Sequence, residues 1–330
     1  MSTVLPSDAP VTTRARLRDY VQMARLDHMT KHVFILPGLV LAWVLREPPL
    51  AGAWQAILIG FASAVLIASA NYIINEWLDR EFDAFHPDKS KRPAVNVVMS
   101  PYAVYSGYAL CSVAGLLLAL EVGPVFFITS LLFWLSGVAY NVRPLRSKDK
   151  PYLDVLSESL NNPIRLMLGW SMIEHSSVAP ASLLLAYWMG GAFLMGAKRL
   201  SEYREIAASH GVGVLHRYRR SFQHYTEERL TISCFVYALL ATLLVGFFLV
   251  KYRIEYLLAC PLIIAMFAHY LALSMRSGSV AQKPEKLFRE RRLMVISGAT
   301  VAALVILSFV DVPWLQGFTD PHFITVEAKH

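Results

Sequence analysis

Charge is scarce in this 330-residue sequence. Asp, Glu, Lys and Arg make up 17% of it, against about a quarter of an ordinary soluble domain, while 55% is hydrophobic. That excludes a soluble globular protein and implies an integral membrane protein. Cysteine is also rare: Cys111, Cys234 and Cys260 all sit in apolar runs, which argues against a disulfide framework or a zinc site. The first 20 residues contain Arg14, Arg16 and Arg18 but no apolar core, so no cleaved signal peptide is expected and the N-terminus is expected to stay in the cytoplasm. There is no low-complexity tract, solenoid period or soluble domain.

What is present is a succession of apolar runs. Nine spans near the 20 residues a bilayer needs are expected at 32–46, 54–78, 101–120, 123–141, 152–173, 179–198, 230–250, 254–274 and 292–312. Residues 18–31, where bases alternate with apolar side chains, read as an amphipathic interfacial helix. The domain reading is a tail over 1–17, a single membrane domain over 18–313 and a tail over 314–330. The net charge of +7 could suggest nucleic acid, but 26 of the 31 Lys and Arg fall on one side of this topology. By the positive-inside rule that side is cytoplasmic. The long loops lie there too, so an active site is expected on that face, around a central cavity.

The chemistry concentrates in residues 71–93, NYIINEWLDREFDAFHPDKSKRP. On a helix Asn71, Asn75, Asp79 and Asp83 form one polar stripe, each step advancing about 40°. Oxygen ligands at a membrane mouth suit Mg²⁺, which takes one or two carboxylates and completes its shell with water and substrate phosphate. Lys89, Lys91 and Arg92 follow, placed to neutralise a diphosphate. The plain alternative is a helix end anchored in the headgroups. Asn75, Asp79 and Asp83 are the expected metal ligands. Further along, Asp154, Glu158, Asn161, Asn162 and Arg165 share one face of the fifth span. Charges within a span usually face a cavity, so Arg165 reads as a phosphate or ribose ligand, or else as the ion-pair partner of Glu158 or Asp154. Pro163 is expected to kink that helix.

The Asn-x3-Asp-x3-Asp stripe with its basic-proline turn resembles the first signature of the UbiA superfamily of intramembrane prenyltransferases. The resemblance implies an all-α bundle around a cavity open to the cytoplasm, Mg²⁺ as cofactor, and a donor-binding connector after the fourth span, to which Tyr140 and Lys148 are assigned. One departure stands out. At the second Asp-rich motif of most aromatic prenyltransferases of the superfamily, this chain reads GAKRLSEYREI, with Lys198, Arg199 and Glu202. Together with HPDKSKRP and R-x7-Y (Arg217 and Tyr225), this resembles the decaprenyl-phosphate phosphoribosyltransferase branch, although Glu76 stands where that branch generally has Asp.

The resemblance implies transfer of phosphoribosyl from phosphoribosyl diphosphate to a polyprenyl phosphate. In that reading Asp79, Asp83, Lys198 and Arg165 are catalytic, and Lys89, Arg92, Tyr140, Lys148, Asp154, Glu158, Arg199, Glu202, Arg217 and Tyr225 bind substrates. The alternative is an aromatic prenyltransferase of the same fold, acting for example on 4-hydroxybenzoate. A transporter is more remote, because the charges cluster at helix ends and no inverted repeat with broken helices is evident. Expected partners are the bilayer of a bacterial inner membrane, a polyprenyl phosphate or other isoprenoid lipid, and a diphosphate-containing donor. Homo-oligomerisation is open, and no nucleic acid is expected.

Overall fold

The computed structural model describes residues 13–46, 52–86, 89–276 and 290–318. Most of the two expected tails, Pro87 and Asp88 of the HPDKSKRP turn, and most of the 274–292 loop lie outside the described residues. Those described are helical apart from connecting segments; their one strand-like feature is an isolated bridge between Arg14 and Val98.

Helix α1 (Leu17–Met23) leads through Arg25 into a 3₁₀ segment (Leu26–Ile35) and α2 (Leu36–Arg46). Then come α3 (Ala53–Asp83), the one-turn α4 (Pro93–Asn96), α5 (Pro101–Val122), α6 (Pro124–Asn141), α7 (Leu153–Ser159) and α8 (Asn161–Ser171). The remainder comprises α9 (Ala181–His210), α10 (Val212–Tyr218), α11 (Glu227–Tyr252), a 3₁₀ turn (Ile254–Ala259) running into α12 (Cys260–Ser274), and α13 (Arg291–Leu307). Among the described residues, five helices are long and apolar enough to cross a membrane: α3, α5, α6, α11 and the Ile254–Ser274 unit, or six if the bent N-terminal pair is one span. The sequence reading of nine is a larger number. Helix α7 and α8 are each too short alone, with 7 and 11 residues, and α9 carries a charged segment from Lys198 to Glu205. The single interfacial helix expected over 18–31 is likewise divided, because Arg25 adopts left-handed backbone angles (φ 53°) between α1 and the 3₁₀ segment.

Local sequence explains the boundaries. Pro101 and Pro124 open α5 and α6, where a missing N–H has no consequence. Gly123, at φ 144°, makes the turn between them in a region that other residues rarely enter. Pro163 cannot donate to the carbonyl of Ser159, and its ring crowds that carbonyl, so the fifth expected span breaks at Leu160. Near the break, Trp188 Nε1 donates to the Leu156 carbonyl (2.9 Å) and Asn161 Nδ2 to that of Glu158 (3.0 Å), as an apolar setting requires.

The buried core runs through Ile67, Phe126, Phe133, Leu168 and Met172, while Leu58, Leu110, Phe247 and Val301 point outward as a bilayer-facing surface would. Helix α3 packs against α6 where Gly137 leaves room for Asn71: a Cβ at Gly137 would lie 2.0 Å from Asn71 Oδ1. Asn71 Nδ2 donates to the Phe133 carbonyl at 3.1 Å. Gly137→Ala is therefore expected to displace Asn71 and cost about 1–3 kcal/mol. A lowered midpoint of thermal unfolding in detergent would register it, and an unchanged midpoint would show that Asn71 can move aside.

Candidate active site

A cavity of about 270 Å³ lies among α3, α6, α8, α9 and the segments following α3, α6 and α10. Asn71, Asn75, Asp79 and Asp83 all line it, because a spacing of four keeps them on one face of the 31-residue α3. Asp79 Oδ1 meets Lys148 Nζ at 2.6 Å and Arg146 at 2.9 Å. Asp83 is paired with Arg92. Asn75 Nδ2 and Lys148 Nζ both donate to Asn141 Oδ1, at 2.6 and 2.7 Å, so the last residue of α6 ties the stripe to the loop beyond it.

The wall on the α9 side is organised by Arg199, which is 1% exposed. Its guanidinium meets Glu158 at 2.5 Å, Glu202 at 2.9 Å and Asp154 at 3.4 Å. Asp154 also accepts from Tyr225 Oη (2.5 Å) and Ser221 Oγ (3.0 Å). Tyr140 Oη donates to Glu158 at 2.9 Å and accepts from Arg219 at 2.6 Å. Buried Asp154 and Glu202 and half-buried Glu158 thus share Arg199 and Arg219 in one hydrogen-bonded network.

Other cations of the lining have no ion pair among the described residues, Arg165 and Lys198 among them. Arg165 is buried over the Phe133 ring, 5.1 Å from its centroid, and its Nε has no hydrogen-bond partner. The ion pair to Glu158 or Asp154 is absent, since both acids are taken by Arg199. Lys198, one residue before Arg199, lines the cavity and has no ion pair either among the described residues.

Of the residues singled out from sequence, Asn75, Asp79, Asp83, Lys89, Arg92, Tyr140, Lys148, Glu158, Arg165, Lys198 and Arg199 line this one cavity. Asp154, Glu202 and Tyr225 do not; they stand behind the wall and hold Arg199 in place. Arg217 is exposed and outside the lining, whereas Arg219, two residues later, is inside. Glu76 is buried away from the cavity and accepts from the Ala94 backbone N–H at 3.4 Å. Sequence reasoning gave no site role to Arg146, Asn141, Arg25 or Lys31, all of which line the cavity. A basic loop and an amphipathic segment carry no signal for which base turns inward.

No group of three or more His, Cys, Asp and Glu among the described residues could hold a metal ion alone. Two carboxylates one helical turn apart with a neighbouring amide, all offering oxygen, do fit Mg²⁺ bound partly by substrate phosphate.

The UbiA prenyltransferase family model matches residues 33–298. The chain belongs to the UbiA prenyltransferase family. Among curated UbiA-related enzymes it is similar to a decaprenyl-phosphate phosphoribosyltransferase of Mycolicibacterium smegmatis, 29% identical over 57% of this chain and 55% of that one. It is also similar to a 4-hydroxybenzoate octaprenyltransferase of Cupriavidus metallidurans, 28% identical over 41% and 43%. The chain thus matches about half the length of these curated relatives. In fold it resembles a UbiA homologue from Archaeoglobus fulgidus bound to GPP and Mg²⁺, with TM-score 0.65 and 21% identity over 88% of this chain and all of the other. It also resembles a digeranylgeranylglyceryl phosphate synthase, with TM-score 0.61 and 15% identity over 88% of this chain and 97% of that one. UbiA-family transferase in the membrane is accordingly the established level of description.

Proposed function

We propose that this UbiA-family protein transfers phosphoribosyl from phosphoribosyl diphosphate to a polyprenyl phosphate, with the active site at the cytoplasmic face. The observation that carries this reading is the charge of the cavity, whose lining holds eleven Lys and Arg against four Asp and Glu. Each phosphate monoester bears roughly −1.5 to −2 at neutral pH. A prenyl diphosphate meeting 4-hydroxybenzoate needs one phosphate-binding patch and a partner for a single carboxylate; a sugar diphosphate with its own monophosphate meeting a lipid phosphate needs three phosphate-binding patches.

Asn75, Asp79 and Asp83 would hold Mg²⁺, which when bound neutralises charge on the leaving diphosphate. Lys89, Arg92, Arg146 and Lys148 surround the same position and add fixed cations, so that negative charge leaving the anomeric carbon is met by preorganised donors. The bond from that carbon to the diphosphate oxygen breaks as one forms to an acceptor phosphate oxygen. The acceptor is already anionic, so no general base is required. Lys198 and Arg165, two of the cavity cations without an ion pair, face the acceptor. Arg219 and Arg220 border the position of the donor's 5-phosphate.

The test is incubation of purified protein with Mg²⁺, phosphoribosyl diphosphate and a polyprenyl phosphate, beside a parallel reaction with an allylic diphosphate and 4-hydroxybenzoate. Lipid-linked phosphoribose in the first supports the proposal. A prenylated ring in the second alone selects the aromatic prenyltransferase, the reading favoured by the octaprenyltransferase match.

A pH signature should accompany the activity. Enclosure of the Lys89 ammonium lowers its pKa from 10.5 to about 7, against the pull of Glu202 and Asp83 and with help from Arg92 and Lys198. Burial favours the neutral lysine, so this group's contribution to stability is present above about 10.5 and lost as pH falls through about 7. Anion binding runs the other way because it needs the proton. The donor KM is expected to rise between pH 7 and 9 by up to about one log unit per pH unit, and Lys89→Arg should flatten that rise. Parallel profiles for the two proteins would remove Lys89 from donor binding.

A further inference from the structure

The segment before α2, read from sequence as lying along the membrane surface, instead contributes to the cavity. Arg25 and Lys31 both line it. Lys31 Nζ lies 5.5 Å and Arg25 Cζ 6.0 Å from the centroid of the Tyr72 ring, and Arg165 is within electrostatic reach of the same tyrosine. None of these three cations has an ion pair among the described residues. Arg165 is 8% exposed, and its Nε is buried without a partner. Arg25 reaches this position from a left-handed backbone conformation, φ 53° and ψ 50°, which is uncommon for a residue with a Cβ and of the kind that gathers at functional sites. Arg165 has no acid within electrostatic reach, Lys31 is held by Tyr72, and Arg25 has Glu76 and Asp27 at longer range than an ion pair, so this stretch of the cavity wall is short of an anion.

We propose that Arg25, Lys31 and Arg165, grouped about Tyr72, form a pocket for a phosphate monoester dianion, separate from the Asp79–Asp83 stripe and independent of metal, and that its occupant is the phosphate of the acceptor lipid. The identity of the occupant rests on the reaction proposed above. The pocket's apolar surroundings select a lipid over a sugar phosphate. Arg165 stands over Phe133, and Phe34, Leu194 and Met195 line the same cavity, so a phosphate held here would bring its first isoprene units against hydrocarbon. The donor is thereby left to Asp79, Asp83 and Lys89, with Arg92, which pairs with Asp83 and lies within electrostatic reach of Arg25, between the two sites. The 3₁₀ segment becomes a wall of the acceptor site.

The test uses the full chain in lipid nanodiscs and measures equilibrium binding of farnesyl phosphate, farnesol, inorganic phosphate and phosphoribosyl diphosphate, each with Mg²⁺ and with EDTA. Farnesyl phosphate should bind wild-type protein equally well in EDTA, and more tightly than farnesol. Lys31→Met and Arg165→Met should each weaken it by about tenfold or more, while phosphoribosyl diphosphate changes less than twofold. Lys31 is only partly buried, so its variant keeps the test available if Arg165→Met does not fold. Weakened phosphoribosyl diphosphate with unchanged farnesyl phosphate would assign the pocket to the donor's 5-phosphate and overturn the proposal, as would loss of inorganic phosphate binding alone, or no change in either variant. If wild-type protein transfers no phosphoribose yet both variants lose farnesyl phosphate, the reaction falls and the lipid phosphate pocket stands.

Discussion

Asp79→Asn is expected to lower kcat/KM by about 10³-fold, on the order of 4 kcal/mol of transition-state stabilisation. The substitution keeps the shape of the side chain and removes its charge. Two consequences combine. The stripe retains Asp83 as its single carboxylate, and Lys148 and Arg146, which meet Asp79 at 2.6 and 2.9 Å, lose the group that aims them into the cavity. The expected pattern is a fall in kcat at saturating donor with a higher Mg²⁺ requirement. Steady-state kinetics over a range of Mg²⁺ concentrations measures both. Wild-type kcat in the variant would show that the stripe serves only to anchor the helix end.

Arg199→Met is expected to act through the fold rather than through one substrate. The arginine is 1% exposed and serves Asp154, Glu158 and Glu202. Removing one partner of a buried ion pair typically costs about 3–5 kcal/mol, because the other charge is left uncompensated; here three acids are affected. A large drop in the denaturation midpoint is the predicted result. Arg199→Lys should recover only part of it, since a point charge cannot address three carboxylates as a planar fork does. Full recovery with lysine would mean that charge alone holds the wall together.

The contrast between these two residues shows what could be read beforehand. Asp79 belongs to a pattern with helical period, and periodicity survives into the structure because a helix is local: Asn71, Asn75, Asp79 and Asp83 face one cavity. Arg165 was legible for a different reason, the expense of charge within an apolar span. Arg199 looked like a substrate ligand, yet its partners Asp154 and Glu158 are 45 and 41 residues earlier, and no local rule encodes that pairing. The choice of Arg219 over Arg217 depends on how α10 ends and the chain turns. The nine-span reading assumed that each apolar run forms one continuous helix. Pro163 is visible in the sequence, but the break at Leu160 leaves two short helices, with Trp188 and Asn161 donating to the carbonyls of Leu156 and Glu158 beside it.

The length of α3 carries a consequence for the lipid. Its 31 residues extend about 46 Å at 1.5 Å per residue, whereas the hydrocarbon layer is about 30 Å thick. Entering the layer at Ala53, a helix this long carries Asp79 and Asp83, in its final turns, past the acyl chains while Tyr72 stays within them. In the proposed reaction the acceptor's phosphate therefore meets the donor from inside its own leaflet, about two to three turns of α3 away from the acids. On that reading most of a long isoprenoid tail stays dissolved among neighbouring lipids, where the protein has no means of measuring it.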